Sequence, residues 1–236
     1  GTTWYKGGLF GEPYDRVIFT AEPVHNLVHS DIITDKGATF EAAPQFEGKE
    51  FLPSTDAWFR PVNFYIGPDG ALYVIDYYRK IIEHPEWMSE EMNASGQLYA
   101  GSDMGRIYRI TPEGTPPVDF ARRLNLKDLP GKELVGKLAD SNIWWRRLAQ
   151  RRLVSEQQKE RIPELQEMAL TSTSDLGRVH ALWTLEGLGG VTVSLLQELL
   201  AHPSPGLREN AIRVAEKHLK DMPELEASLL AMISDP

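Results

Sequence analysis

The run Val62-Asn63-Phe64-Tyr65-Ile66-Gly67-Pro68-Asp69-Gly70-Ala71-Leu72-Tyr73-Val74-Ile75-Asp76-Tyr77 decides the reading of the first half of the chain. Two short stretches rich in β-branched and aromatic residues flank a Gly-Pro-Asp-Gly turn, which predicts an antiparallel hairpin. Pairing across that turn sets Ile66 against Ala71 and therefore Pro61 against Asp76, so Arg60 is expected beside Asp76 and Tyr77. A third run, Arg106-Ile107-Tyr108-Arg109-Ile110, supplies the next strand. Upstream, Val17-Ile18-Phe19-Thr20-Ala21-Glu22 resembles Leu72 to Asp76, and Asn26 to Ile32 takes the place of Gly105 to Ile110. A repeat of roughly 54 residues built from short strands fits the blades of a β-propeller, where each small sheet hides one face against its neighbour.

In that geometry Glu22, His25 and Asn26 occupy the mouth of the first blade, and Arg60, Asp76 and Tyr77 that of the second. The insertion from Arg79 to Met104 overhangs it. Arg60 and Asp76 are open to two readings, a structural ion pair bracing the hairpin or ligand contacts. His25 and His29 are four apart, a spacing that suits metal ligation on a helix; in a loop followed by a strand it predicts surface histidines.

The second half follows a different rhythm. Arg146, Arg178 and Arg208 align with steps of 32 and 30 residues, each followed three positions later by an alanine, and Leu138, Leu170, Leu200 and Leu230 keep the same phase. Breakers fall at Asp140-Ser141-Asn142, from Thr171 to Asp175, at His202-Pro203-Ser204-Pro205-Gly206 and at Asp235-Pro236, where such residues cap helices. This is a helix-pair repeat. Pairs of this size cannot bury an apolar stripe alone and stack into a solenoid of the HEAT or armadillo kind. The recurring arginines are expected to form a ladder to neighbouring acidic caps, the tryptophans Trp144, Trp145 and Trp183 to pack in the core, and His180 to be a satisfied inter-helix histidine. The expected fold is therefore multi-domain β + α: the last, incomplete blades of a β-propeller over residues 1–118, then a HEAT-like α-solenoid over 119–236.

Composition agrees with the division. Residues 1–118 hold 9 Lys and Arg against 17 Asp and Glu, and 18 of the 22 aromatics; the rest holds 16 against 17, and 22 of the 27 leucines. The acidity of the first half argues against a nucleic-acid surface there. Arg146, Arg147, Arg151 and Arg152 form a dense basic stretch that reads as a solvated helix face. The absence of cysteine rules out disulfides, thiolate metal sites and haem attachment within these residues. No apolar run approaches the roughly 18 residues that span a bilayer. A start at Gly1 without methionine or signal-like segment reads as a piece of a longer protein, with further blades upstream and further helices beyond Pro236.

The strings Ala21-Glu22-Pro23-Val24-His25-Asn26-Leu27-Val28-His29, Phe51-Leu52-Pro53-Ser54-Thr55-Asp56-Ala57-Trp58-Phe59-Arg60-Pro61-Val62, Gly67-Pro68-Asp69-Gly70-Ala71-Leu72-Tyr73-Val74, Tyr78-Arg79-Lys80, Ile82-Glu83-His84-Pro85 and Gly105-Arg106-Ile107-Tyr108-Arg109 resemble the membrane-bound dehydrogenases of planctomycete-type bacteria, whose propellers are similar to sugar and sorbosone dehydrogenases. The resemblance implies a six-bladed quinoprotein-like propeller, HEAT repeats and, in many members, a haem c domain downstream, with a periplasmic or membrane-associated exterior address. It implies oxidation of a sugar or polyol, with pyrroloquinoline quinone as acceptor and calcium as Lewis acid. In that chemistry His25 is the candidate general base, Arg60 and Arg79 the holders of quinone carboxylates, Glu22 and Asp76 the calcium ligands, and Asn26 and Tyr77 the substrate contacts. This stretch by itself is expected to be inactive. The alternative is a scaffold whose propeller and HEAT repeats recruit protein or glycan partners without turnover; no nucleic-acid partner is expected.

Overall fold

Alternating burial organises the strands of the first half. Along β2 (Val17–Glu22) every second side chain, Val17, Phe19 and Ala21, is buried, and along β7 (Leu72–Asp76) the same holds for Leu72, Val74 and Asp76. The computed structural model describes residues 1–116 and 129–234, and the chain divides into two units, Gly1–Val118 and Asp119–Pro236. The expected boundary at Val118 and the breaker Asp235-Pro236 lie outside the described residues. Antiparallel sheets build the first unit and helices the second, so the chain is mixed β plus α.

In the first unit β1 (Thr2–Trp4), β2, β3 (Leu27–Lys36) and β4 (Thr39–Pro44) form a four-stranded antiparallel meander, and β5 (Leu52–Pro53) pairs with the start of β3. A second sheet orders β6 (Pro61–Ile66), β7 and β8 (Arg106–Ile110). The inward side chains of both sheets, Phe19 and Val28 from one and Phe64 and Val74 from the other, share a single apolar cluster. Tyr5 ties the sheets together: its buried hydroxyl donates to Gly70 O at 2.6 Å and accepts from the N–H groups of Leu9 and Phe10. Short helix α1 (Glu90–Ala94) interrupts the insertion before β8.

Two details of register differ from the expectation. Ile66 pairs with Leu72 rather than Ala71, and a bulge at Val62 restores Pro61 opposite Asp76. The burial phase also matches Ala21, not Glu22, to Asp76. A one-residue shift in a strand exchanges its faces, so Asp76 points inward where Glu22 points out.

The second unit holds seven described α-helices: α2 (Gly131–Lys137), α3 (Ile143–Ser155), α4 (Ile162–Thr171), α5 (Asp175–Leu188), α6 (Val193–Leu200), α7 (Pro205–His218) and α8 (Leu225–Ala231). Side-chain caps start several of them, with Asn142 accepting from Trp144 N–H, Ser174 from Gly177 N–H and Thr192 from Leu195 N–H; α5 ends on left-handed Gly189. Helices pack in pairs, α2 with α3, α4 with α5 and α6 with α7, and the second helices α3, α5 and α7 pack side by side. Ala149, Ala181 and Ala211 are fully buried at these contacts, among a leucine core. Each buried leucine contributes on the order of 1.5–3 kcal/mol. Leu138 and Leu200 are buried and Leu170 packs on the same core, whereas Leu230 is exposed and its neighbour Leu229 packs inward instead.

The arginine ladder exists with other partners than expected. Arg146 donates to Asp140 O at 2.6 Å and Ser141 O at 2.8 Å; Arg178 to Ser172 O at 2.6 Å and Leu170 O at 2.7 Å; Arg208 to His202 O at 2.9 Å and Pro203 O at 3.0 Å. Each guanidinium thus satisfies carbonyls of the reversal between the two helices of a pair, and Arg178 also reaches Leu170 O in the last turn of α4, where main-chain acceptors have no ladder partner of their own. Arg146 is buried to 1% exposure. Arg146→Ala, which removes a buried side chain and leaves two partly buried carbonyls without its donors, is expected to cost on the order of 1–3 kcal/mol, measured by urea unfolding followed through tryptophan fluorescence. An unchanged midpoint would show that water replaces the cap.

Candidate functional site

Two places gather polar side chains, one in each unit. In the first, the turn between β2 and β3 is made by left-handed Asn26 (φ 59°), whose amide donates to Ala57 O at 3.2 Å and Phe59 O at 2.5 Å. The following Arg60 reaches back across it. Its guanidinium donates to Pro23 O at 2.7 Å, Val24 O at 3.3 Å, Arg79 O at 3.0 Å and Lys80 O at 2.9 Å. Arg79 in turn donates to the carbonyls of Tyr77, Tyr78, Gly101 and Ser102, with its guanidinium 4.2 Å from the centre of the Tyr77 ring.

Asp76 sits at the centre with its side chain wholly enclosed. Oδ1 accepts the backbone N–H of Arg60 at 2.8 Å and of Tyr78 at 2.9 Å, and Oδ2 takes Nη2 of Arg106 at 3.1 Å. The ion partner of Asp76 is therefore Arg106, its cross-strand neighbour in β8, while Arg60 meets it through the main chain. Arg106 also stacks 3.9 Å over Tyr78 and approaches Asp56 at 3.4 Å. Arg60, Asp76, Asn26 and Arg79 come together as a junction that pins the β2–β3 turn, the β5–β6 loop and the insertion to one another. Tyr77 is half-exposed at its edge.

Glu22 and His25 stand apart from it. Glu22 Oε2 accepts His25 N–H at 2.6 Å and lies 2.7 Å from its Nδ1. Against the desolvation it suffers, these bonds and the N–H of Val24 hold the Glu22 carboxyl below the usual carboxylate range. The imidazole is 75% exposed, and its Nε2 faces away from the carboxylate that orients it. His29 lies between Glu50 (2.6 Å) and Asp31 (3.1 Å), and chiefly the Glu50 hydrogen bond raises its pKa above the ordinary histidine value. Among the described residues no group of three His, Cys, Asp or Glu is placed to hold a metal ion. With the donors of Arg60 and Arg79 directed at backbone carbonyls and Asp76 enclosed by protein donors, this set does not fit a quinone carboxylate or a calcium ion.

The second place is the row of second helices. Gln150 Oε1 meets His180 Nδ1 at 2.7 Å, Trp183 Nε1 donates to Asn210 Oδ1 at 2.9 Å, and Glu186 holds His218 at 2.5 Å and Lys217 at 3.4 Å. Partner numbers rise together from helix to helix, so α3, α5 and α7 run in the same direction and these bonds are rungs across one face. Gly187 allows the approach of α5 to α3, because a Cβ there would lie 2.8 Å from Val154 Cγ2. Between the helices runs a groove of about 570 Å3 lined by Arg147, Arg151, Val154, Trp183, Gly187 and Lys217 among others. Arg146 and Arg152 leave the basic stretch, the first facing inward and the second pairing with Glu156 at 2.6 Å. Trp183 lies at the margin of the core rather than inside it, with Lys217 4.8 Å from its ring. His180 is the inter-helix histidine that the sequence predicts, whereas its partner Gln150 and the rung residues Asn210, Glu186 and His218 escaped the sequence reading; His180 and Asn210 each lie two positions after the repeat arginine, but Gln150 lies four after it, outside that register.

Residues 1–114 match a family described as a domain of unknown function (DUF7133). No curated protein and no solved structure matches the chain. Among the described residues no helix is long and apolar enough to cross a membrane.

Burial first, and then the charges of Arg146 and Arg147, push the His180 pKa down to about 4. An unfolded chain binds that proton near pH 6.5. A depressed histidine pKa means that protons favour the unfolded state as pH falls, so stability is complete above about 6.5 and declines toward 4. Thermal unfolding scanned between these values should show a steeper loss for the native chain than for His180→Gln; equal slopes would show that the ring is solvated.

Proposed function

We propose that this chain belongs to a binding scaffold, in which the helical unit is a HEAT-like array presenting the α3–α5–α7 face to a protein partner and the β unit is a pair of propeller-type blades. The observation that carries this reading is the set of polar rungs Gln150–His180, Trp183–Asn210 and Glu186–His218, which join three helices of different repeats into one surface. Stacked repeats gain extended binding surfaces in this way, because successive helices contribute equivalent positions. The four-stranded meander and the β6–β8 sheet, sharing one core, support blades; the arginines at their ends serve the backbone. An exterior address is part of the same proposal and rests on the resemblance of the first half.

A photo-crosslinking residue at Ser155, beside the groove, is expected to capture protein in extracts of the native host, with the adduct identified by mass spectrometry. The same residue at Glu167 or Glu198, on the first helices, is expected to capture little. Equal capture from all positions, or none from Ser155, would contradict the scaffold.

The dehydrogenase reading retains one supporting observation. An exposed histidine whose Nδ1 is held by a carboxylate is arranged to take a proton at Nε2, and His25 with Glu22 has that form. His25 would then accept the hydroxyl proton of a sugar or polyol, and the quinone would be held by residues other than Arg60 and Arg79. Pyrroloquinoline quinone, calcium, a dye acceptor and a panel of sugars separate the readings. The scaffold predicts neither quinone binding nor dye reduction; quinone-dependent reduction abolished by His25→Gln would replace it with the enzyme.

A further inference from the structure

The groove between α3 and α5 differs in charge from the chain around it. The protein carries a formal charge of −9, yet the groove gathers Arg147, Arg151 and Lys217 against the single acid Glu186, and that acid is already held by His218 and Lys217. Arg147 and Arg151 are exposed, and among the described residues no acid holds either of them. The floor is apolar, formed by Val154, Gly187 and the edge of Trp183.

From this arrangement we infer that the groove binds an extended acidic peptide segment of a partner protein, a reading that rests on the scaffold function above and names its ligand. Spacing supports the choice. Two guanidiniums at i and i+4 of a helix lie about 6 Å apart along its axis, and carboxylates at alternate positions of an extended peptide repeat every 6.5–7 Å or so. Arg147 and Arg151 thus meet successive acidic side chains in register, each as a forked charge-assisted contact. The intervening side chains of such a peptide point the other way, toward Trp183 and Gly187 on α5, and apolar ones fit that wall. Lys217 closes the opposite rim. The pairing of Glu186 with His218 and Lys217 keeps the one negative group of the groove from repelling the ligand.

Fluorescence anisotropy of the full chain tests the inference with a short labelled peptide of alternating Glu and Leu, its Gln-for-Glu counterpart, and a labelled single-stranded oligonucleotide of similar length. The Glu–Leu peptide is expected to bind at least tenfold more tightly than the Gln–Leu peptide, and the double variant Arg147→Glu/Arg151→Glu to lose at least tenfold, with an unaltered helical circular dichroism spectrum. A control of equal charge change away from the groove, Lys132→Glu/Lys159→Glu, should stay within about threefold. If the reversed charges unfold the chain, Arg147→Gln/Arg151→Gln gives the same comparison. Equal affinity for the acidic and neutral peptides, or equal losses in the variant and the control, overturns the inference. Tighter binding of the oligonucleotide than of the acidic peptide also overturns it, in favour of nucleic acid. Protein adducts from Ser155 together with charge-independent peptide binding would leave the scaffold standing and remove only the acidic ligand; the absence of both would remove the two together.

Discussion

A guanidinium in the first turn of each second helix, bonded to carbonyls of the reversal that leads into it, is the contact on which the helical unit depends. The chain must reverse direction at each repeat, and every reversal leaves main-chain carbonyls outside any ladder, part of them shielded from water. Arg146, Arg178 and Arg208 supply the missing donors from the same point of each repeat. Because the donor belongs to the second helix and the acceptors to the reversal before it, the bond also fixes the helix against the turn from which it starts. Ala149, Ala181 and Ala211, one turn further on, then bring successive second helices close, and the rungs from Gln150 to His218 follow from that closeness. The groove is a consequence of the same spacing, with Gly187 against Val154 setting its width.

The β unit uses arginine in the same manner. Arg60 and Arg79 direct their donors to eight carbonyls of turns and of the insertion, and Asp76 organises the main chain around it by accepting two N–H groups and one guanidinium. Loops of this length cannot form their own ladders, so side chains must satisfy them. Both units therefore spend charged groups on the backbone, while the oriented His25 in the first and Arg147 and Arg151 in the second stay exposed to solvent.

Much of the architecture was legible in the sequence because it rests on short-range patterns. The alternation in Leu72 to Asp76, the Gly-Pro-Asp-Gly turn and the step linking Arg146, Arg178 and Arg208 each report local geometry that burial then follows. The repeat of roughly 54 residues sets Glu22 against Asp76, which it resembles in chemistry, whereas burial sets Ala21 against Asp76, one residue earlier. The convergence of Arg60 and Asp76 was legible from the pairing of Pro61 with Asp76, but not the direction of the guanidinium, which depends on where the carbonyls of Pro23, Val24 and Lys80 lie in three dimensions. The acceptors of Arg146 were missed for a related reason: an orphaned carbonyl has no letter in a sequence, whereas an acidic side chain does.

Native-state hydrogen exchange on the variant Arg178→Ala tests the central claim most directly, because Arg178 belongs to the middle of the three second helices. If the caps hold the row together, amide protection falls in α3 and α7 as well as in α5, and by similar factors. Loss of protection confined to α5 and the turn before it would mean that each cap serves only its own reversal and that the shared face is held by something else.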